Sequence, residues 1–431
     1  MNIRIYNARI LTMKEDFSIF DGEVWIKDKR IIYVGNGSDI ESDKNVDTCM
    51  VWDREIDADR NLIMPGFKNA HTHSAMTFLR SNADDLPLLE WLHEQILPRE
   101  AKLTADDIYQ LTKLAIMEYL TSGITGIFEM YLDPNAVAKA CEDTGMRCVQ
   151  VGAVNNFSQS VELVEEMYQK YNKEDDLNSY ILGFHAEYTC TKELLEKVSK
   201  LAHKYQAPVY THSSESKAEV EQCIERTGMT PTEYLDSLGI FDFGGGCYHS
   251  VHLTEHDIEI YKKRGLHAIT NPASNAKLAS GIAPISKLLK EGINIAIGTD
   301  GPASNNCLDM FREMFLTTAL AKLKEEDASA LDANQVLYMA TVGGAKACGF
   351  KDSDVIEAGK YADLIMIDLQ QPNMQPINNI TKNLVYSGSK QNVKMTMING
   401  KILYEDGKYD IGVTPEFVYS KANEIINRVK S

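Results

Sequence analysis

The sequence predicts a (β/α)8 barrel, a TIM barrel, joined to a small β-sandwich formed by the N- and C-terminal segments. Three observations carry this. From residue 66 to 351, short apolar runs alternate with amphipathic stretches, the pattern of repeated βα units around a parallel sheet. Residues 1–65 instead alternate with period two, and 352–431 repeats that style before a C-terminal helix. Polar side chains able to bind a metal or carry a proton recur at the C-terminal ends of the apolar runs.

The N-terminal strands read as NIRIYNARILTM, GEVWIKDKRIIYVG and VWDREIDADRNLIMPG, with turn signals such as Asp21-Gly22, and antiparallel pairing is expected. These hairpins make a thin core alone, so KYADLIMIDL and VKMTMINGKILYEDGKY near the C-terminus are expected to join the same sandwich. Eight barrel strands follow in order: LIMPGFKNAHTH, GITGIFEM, RCVQVGAVN, YILGFHAEY, APVYTHSSE, GGGCYHSVH, LHAITNPAS and NIAIGTDG. Helical stretches such as TADDIYQLTKLAIMEYLTSG, DPNAVAKACEDTG, TKELLEKVSKLAHKYQ, TEHDIEIYKKRG and APISKLLKEG fill the gaps, opened by Asp or Thr and often closed by Gly. Each βα unit receives about 36 residues, as a barrel of this kind requires. No Gly- or Ser-rich linker interrupts the chain, so barrel and sandwich should be tightly joined.

The 431 residues carry 44 Lys and Arg against 62 Asp and Glu, a net charge of −18. A phosphate backbone or an anionic membrane surface needs clustered cations, so neither nucleic acid nor membrane is an expected partner. The 44% hydrophobic, 25% charged composition is that of a globular protein with a packed core. The opening MNIRIYNARILTMKEDF lacks the apolar stretch of a signal peptide, and no segment approaches the roughly 18 apolar residues of a membrane span. A soluble, cytoplasmic protein is expected. Its 8 cysteines form no C-x-x-C pair and read as reduced thiols, Cys307 included, as packing rather than as a nucleophile.

On those strands, His71 and His73 end the first, His185 falls late in the fourth, His212 and Glu215 end the fifth, His249 the sixth and Asp300 the eighth. All lie toward C-terminal strand ends, the face where barrel enzymes assemble their catalytic groups. His71-x-His73 directs two imidazoles to one face of a strand, since side chains alternate with period two. By itself the dipeptide is compatible with a surface or core pair. With His212 and Asp300 it becomes three nitrogens and one oxygen, suited to zinc with an open position for water. Glu215, three residues past His212, can carry a proton between water and a leaving group, and His249 can orient the water. His252 shares the face of His249 but reads as a core histidine.

PGFKNAHTHSAMTFLR, DDLPLLEWLHEQILPRE, THSSES, HSVHL, NPASNAKLASGIAPI, IGTDGPASNN and GKYADLIMIDL together resemble the amidohydrolase superfamily, specifically the group of 5-methylthioadenosine/S-adenosylhomocysteine deaminases, over nearly the whole chain. The resemblance implies one divalent metal, zinc or in some relatives iron or manganese, on His71, His73, His212 and Asp300. It implies that Glu215 shuttles a proton to the purine N1 and that His249 and Asp300 act on the water. Glu100 then matches a ribose-binding glutamate, His185 a purine contact, and Trp91 and Ser304 fall in segments that line the site, although Trp91 also suits helix packing and Ser304 a helix cap. A homo-oligomer is implied as well. The Leu and Met residues of KLAIMEYL and MFREMFLTTALAKL read as barrel core or a subunit contact.

One departure is informative. Relatives that use S-adenosylhomocysteine carry arginines after the third strand, whereas here Arg147 is followed by none until Arg226, leaving only Lys170 or Lys173 as substitutes. Neutral nucleosides such as adenosine, 5'-deoxyadenosine or 5'-methylthioadenosine are therefore the expected substrates. The alternatives are hydrolysis of another heterocycle, such as guanine, cytosine or a chlorotriazine, and a non-catalytic scaffold, which predicts missing ligands. The zinc signature of cytidine-type deaminases, H-x-E with P-C-x-x-C, does not occur.

Overall fold

The computed structural model describes residues 1–14, 16–36, 50–82, 84–86, 90–172 and 177–430; Cys49 and Lys173 lie outside them. Five strands open the chain: β1 (Asn2–Leu11), β2 (Ile19–Lys27), β3 (Arg30–Gly35), β4 (Arg54–Asp57) and β5 (Leu62–Pro65). The barrel strands are β6 (Phe67–Thr72), β7 (Ile124–Glu129), β8 (Arg147–Val151), β9 (Asn178–Ala186), β10 (Val209–Ser213), β11 (Gly245–His249), β12 (Leu266–Thr270) and β13 (Ile295–Ile297). After them come β14 (Leu364–Ile367), β15 (Val393–Ile398), β16 (Lys401–Glu405) and β17 (Lys408–Tyr409).

β6 to β13 lie side by side in sequence order and all run parallel. The seam between first and last strand is closed by few bonds: the Asp300 N–H donates to the His71 carbonyl at 2.9 Å, and the Asn69 amide bridges to Thr299 at 2.7 and 2.8 Å. Gly298 permits this approach, since a Cβ there would lie 2.8 Å from the His71 main-chain nitrogen. The helices that cover the strands start where their caps predict. Thr104, Asp133, Thr191 and Thr254 accept first-turn N–H groups of Ala105–Thr121, Pro134–Thr144, Lys192–Tyr205 and Glu255–Arg264, and left-handed Gly145 and Gly265 end the second and fourth.

The run LIMPGFKNAHTH, expected as one strand, is two. β5 pairs with β1 and β14 in the terminal sheet, and β6 opens the barrel. Gly66 is the break: a Cβ there would lie 2.1 Å from the Thr125 side chain, so only glycine lets the chain pass from one sheet to the other against β7.

The terminal strands form one mixed sheet in the order β17-β16-β15-β14-β5-β1-β2-β3, with β4 also on β1, around a core that includes Ile3, Ile5, Val24, Leu364 and Met397. Purely antiparallel pairing is corrected here, because β4 and β5 run parallel to β1. With β2 antiparallel to both β1 and β3, the strands β1, β3 and β4 all run the same way. Sandwich and barrel are locked by a buried ion pair, Arg147 Nε to Asp363 Oδ2 at 2.5 Å, and by the Thr396 hydroxyl donating to the Leu120 carbonyl at 2.7 Å. The C-terminal helix Pro415–Lys430 leaves the sheet and docks on the barrel, where Lys102 donates to the Val429 carbonyl at 2.9 Å and Arg428 pairs with Asp107.

Among the described residues no helix is long and apolar enough to cross a membrane. The described cysteines are free, most of them buried, and Cys307 is half-buried.

Candidate active site

Three ring nitrogens converge at the C-terminal mouth of the barrel. His71 ends β6 on a wholly buried face, and its Nε2 lies 3.1 Å from Nε2 of His212 on β10. His71, His73 and His212 each offer a nitrogen within 4.8 Å of the others. Asp300 Oδ1 completes the group, 3.6 Å from His71 Nε2 and 3.4 Å from His73 Nε2.

The tautomers show why these nitrogens suit a cation. His73 Nδ1 lies 2.6 Å from the Met130 carbonyl and His212 Nδ1 2.7 Å from the His185 carbonyl, so each Nδ1 carries the proton and each Nε2 turns a lone pair inward. Burial, reinforced by the neighbouring histidines, holds His71 and His212 well below the usual imidazole range and keeps them neutral. His71 is fixed further by stacking on Tyr248 at 3.8 Å between ring centroids. Neutral imidazoles facing one carboxylate at these distances fit a single divalent metal.

The chain reaches this geometry through strained backbone. Ser214, His249, Ser250 and Asp300 all sit in the left-handed region, at φ of 55, 72, 50 and 58°, which non-glycine residues adopt at a cost of about 1–3 kcal/mol each. Side chains hold the bends. Glu219 accepts the N–H groups of Ser214 and Glu215, both at 2.8 Å, and Asp300 accepts the Gly301 N–H at 2.7 Å.

Glu215 and His249 flank the cluster, with Glu215 Oε2 3.6 Å from His249 Nε2. Burial pushes the Glu215 carboxyl up, and Asp300 adds to this while His249 opposes it. Burial works against a charged His249, but the Glu215 and Asp300 carboxylates outweigh it and hold the ring above its usual value. Asp300 is the reverse case. Burial raises it, yet His73, His249 and the Ser274 hydroxyl leave it below the ordinary carboxylate range.

Above the cluster lies a recess of about 820 Å³, counting its open mouth. Its floor includes His73, His212, Glu215, His249 and Asp300, and its walls are largely apolar, with Met76, Leu92, Leu97, Leu132, Phe157 and Leu278. Trp91, at the start of the π-helical turn Trp91–Ile96, and Glu100, at the end of Leu97–Glu100, line it as well. Burial pushes Glu100 up to about 7. His185 also lines the recess, and burial pulls it down to about 4, so it presents a neutral ring.

A model of the amidohydrolase family matches residues 62–403. The chain belongs to the amidohydrolase family. A 5-methylthioadenosine/S-adenosylhomocysteine deaminase of Thermoanaerobacter pseudethanolicus is 37% identical over 440 residues, 99% of this chain and 100% of that protein. A deaminase of the same description from Pelotomaculum thermopropionicum is 40% identical over 94% of this chain and 93% of its own. Among solved structures, an adenosine deaminase from Xanthomonas campestris with bound zinc superposes with a TM-score of 0.93 at 32% identity, covering 99% of this chain and 98% of that one. A guanine deaminase from C. acetobutylicum shares the fold, with a TM-score of 0.81 at 20% identity over 93% of this chain and 100% of its own.

Of the residues singled out from sequence, this amidohydrolase gathers His71, His73, His185, His212, Glu215, His249, Asp300, Glu100 and Trp91 into or directly beneath the recess. Ser304 lies elsewhere. It neither lines the recess nor caps the helix Met310–Glu325, which Asp309 caps; its hydroxyl sits behind the site, 2.9 Å from Asp300 Oδ2. His252 is turned away, its Nε2 2.6 Å from the Ser280 carbonyl. Arg147 is committed to Asp363, Arg226 is paired bidentately with Glu187 at 2.8 Å, and Lys170 holds Asn135 at 2.6 Å on the outer surface.

Sequence reasoning missed the supports. Asn275 Oδ1 lies 2.7 Å from His249 Nδ1, and the Ser274 hydroxyl donates to Asp300 Oδ2 at 2.6 Å. Both stand in NPASNAK, a quoted motif, but nothing local to it names a partner 26 residues away. Glu219 did have a signal, the capping box from Ser216 to Glu219, which marks a helix start and here also fixes the turn that carries Glu215.

Proposed function

We propose that this amidohydrolase is a zinc-dependent hydrolytic deaminase of adenosine-type nucleosides, which converts the amino-bearing ring carbon to a carbonyl and releases ammonia with the inosine analogue. One arrangement carries the reading: a cluster of three histidines and one aspartate with Glu215 and His249 beside it, under a largely apolar recess that Glu100 also lines. The deaminase names of relatives at 37 and 40% identity, and the zinc in an adenosine deaminase of 32% identity, support it.

Zinc held by His71, His73, His212 and Asp300 supplies, when bound, the Lewis acidity that makes water nucleophilic near neutral pH. The chain's own groups do the rest. His249, steadied by Asn275, orients the water and with Asp300 receives a proton as oxygen bonds to the ring carbon. Glu215, whose carboxyl burial pushes up, gives its proton to N1. The carbon–nitrogen bond then breaks. Of the water's two protons, one leaves with the amino group as ammonia and the other restores Glu215. Glu100 accepts from the ribose hydroxyls, while His185 and Trp91 hold the purine.

The 5' end of the substrate is neutral in this reading. Among the described residues, those lining the recess include no lysine or arginine, so the distal carboxylate of S-adenosylhomocysteine would find no cation among them. Adenosine, 5'-deoxyadenosine and 5'-methylthioadenosine fit better. The catalytic unit spans residues 66–351, with the sandwich from 1–65 and 352–431. The protein works in the cytoplasm as a homo-oligomer, without a nucleic-acid or membrane partner; exposed Phe315 and Leu323 on Met310–Glu325 support a subunit contact. Ammonia release by the zinc-loaded protein from a panel of aminopurines and pyrimidines tests the assignment. Faster turnover of guanine or cytosine, or chloride release from a chlorotriazine, would transfer it to that alternative.

A further inference from the structure

Among the described residues, the buried glutamates that do not line the recess include Glu129, Glu219 and Glu313. Glu129 accepts the N–H of Ser74, next to His73, and Glu219 those of Ser214 and Glu215. Each of these serves one loop. Glu313 serves two, and both lead to Asp300.

We propose that Glu313 is a positioning residue, which sets Asp300 and His249 relative to each other by tying together the two loops that support them. Its Oε2 accepts the Ala273 N–H at 3.0 Å, and its Oε1 accepts from the Asn305 side-chain amide at 2.7 Å. Ala273 directly precedes Ser274, which donates to Asp300 Oδ2, and Asn275, which meets His249 Nδ1. Asn305 directly follows Ser304, whose hydroxyl lies 2.9 Å from the same Asp300 oxygen, and it also donates at 2.6 Å to the carbonyl of Thr299, the residue before Asp300. Both side-chain hydroxyls on Asp300 Oδ2, and the partner of His249 Nδ1, therefore hang from one carboxylate. A glutamate in the first turn of a helix ordinarily complements the helix dipole from the surface. Glu313 is in the first turn of Met310–Glu325, but it is wholly buried and both its oxygens are spent on other loops.

The inference rests on the deaminase reading for its kinetic readout only; cobalt(II) loaded into the site reports ligand geometry through its visible absorption whatever the substrate. Glu313→Gln keeps the shape but turns one acceptor into a donor that faces a donor. It is expected to lower kcat for adenosine roughly 10- to 100-fold, as loss of an outer partner at a metal site does, with KM within about threefold, metal content unchanged and the cobalt bands shifted. Asn305→Ala, which cuts one arm only, should give a smaller change in the same direction. A folded Glu313→Gln protein with the parent's kcat and cobalt bands would overturn the proposal, whatever its melting temperature. Should that variant not fold, parental kcat and bands in Asn305→Ala overturn it equally. A parent protein inactive on every nucleoside would refute the deaminase reading and leave the cobalt comparison to decide this one.

Discussion

The Glu215 carboxylate lies 3.6 Å from Nε2 of His249, and both side chains are buried. Each stands above its usual pKa, Glu215 through burial and His249 through the two carboxylates beside it. Glu215 thus holds its proton to higher pH than a free carboxyl does, and activity should fall as rising pH removes it. Glu215→Gln is expected to lower kcat for adenosine by roughly 10²–10⁴-fold with zinc retained. Because both groups serve one reaction step, a Glu215→Gln/His249→Asn double variant should lose little more than the worse single variant. Steady-state ammonia release checks this, and multiplying losses would mean that the two act in separate steps.

Glu100 gives a pH prediction of a different kind. Burial raises its carboxyl to about 7, and the ionised form is the better acceptor for two ribose hydroxyls. KM for adenosine should therefore fall several-fold as pH rises through about 7, with kcat following its own profile. Its effect on stability has the opposite sign. A carboxyl whose folded pKa is raised favours the fold at acid pH, and that contribution is lost as pH climbs through the folded value. Glu100→Gln, or a 2',3'-dideoxynucleoside, should abolish the KM trend; a trend that survives both changes rules Glu100 out as its source.

Metal removal has a defined outcome. The Nδ1 atoms of His73 and His212 are anchored to carbonyls, so the nitrogens that face each other are preset for a cation. A strong chelator should abolish ammonia release and zinc should restore it. His212→Ala should fail to retain metal on gel filtration while melting as one cooperative unit.

Arg147 and Asp363 make the stability prediction. The pair is buried on both sides, and although burial raises Asp363, Arg147 pulls it below the ordinary carboxylate range. Arg147→Ala strands a buried carboxylate and should destabilise the protein by about 3–5 kcal/mol in urea titration. The pair's contribution is present above the unfolded carboxyl pKa and fades as acid protonates Asp363. A loss below about 1 kcal/mol would place the junction's strength elsewhere, as for a solvent-screened surface pair.

Substrate range follows from the lining. With no lysine or arginine among the described residues that wall the recess, kcat/KM for S-adenosylhomocysteine should be at least about tenfold below that for 5'-methylthioadenosine, since a carboxylate without its Arg partner loses its strongest contact. Parity would show that a cation reaches the substrate from outside the lining.

The sequence made the barrel legible because its βα units mark their own boundaries: Thr104, Asp133 and Thr191 announce helix starts, and His71, His73, His212 and Asp300 stand at or just past strand ends. It concealed the strand switch at Gly66, because LIMP and FKNAHT are both apolar enough for buried strands and only the Thr125 side chain shows why the chain must turn. The parallel entry of β4 and β5 was hidden for a related reason, since alternation reports which face is buried and not which way a neighbour runs. The ligand set was readable for the same local reasons as the strands. Glu313, Asn275 and Ser274 were not, because a supporting hydrogen bond between loops 26 to 40 residues apart leaves no mark on the spacing of either.

The most direct test of the account is the initial rate of ammonia release from adenosine and 5'-methylthioadenosine by the zinc-loaded protein, set beside the metal-free protein and Glu215→Ala. Turnover is expected to need zinc and to be nearly lost in the variant, with inosine or its 5'-methylthio analogue formed in step with ammonia. Undiminished ammonia release without zinc or without Glu215, or none from either nucleoside, would contradict it.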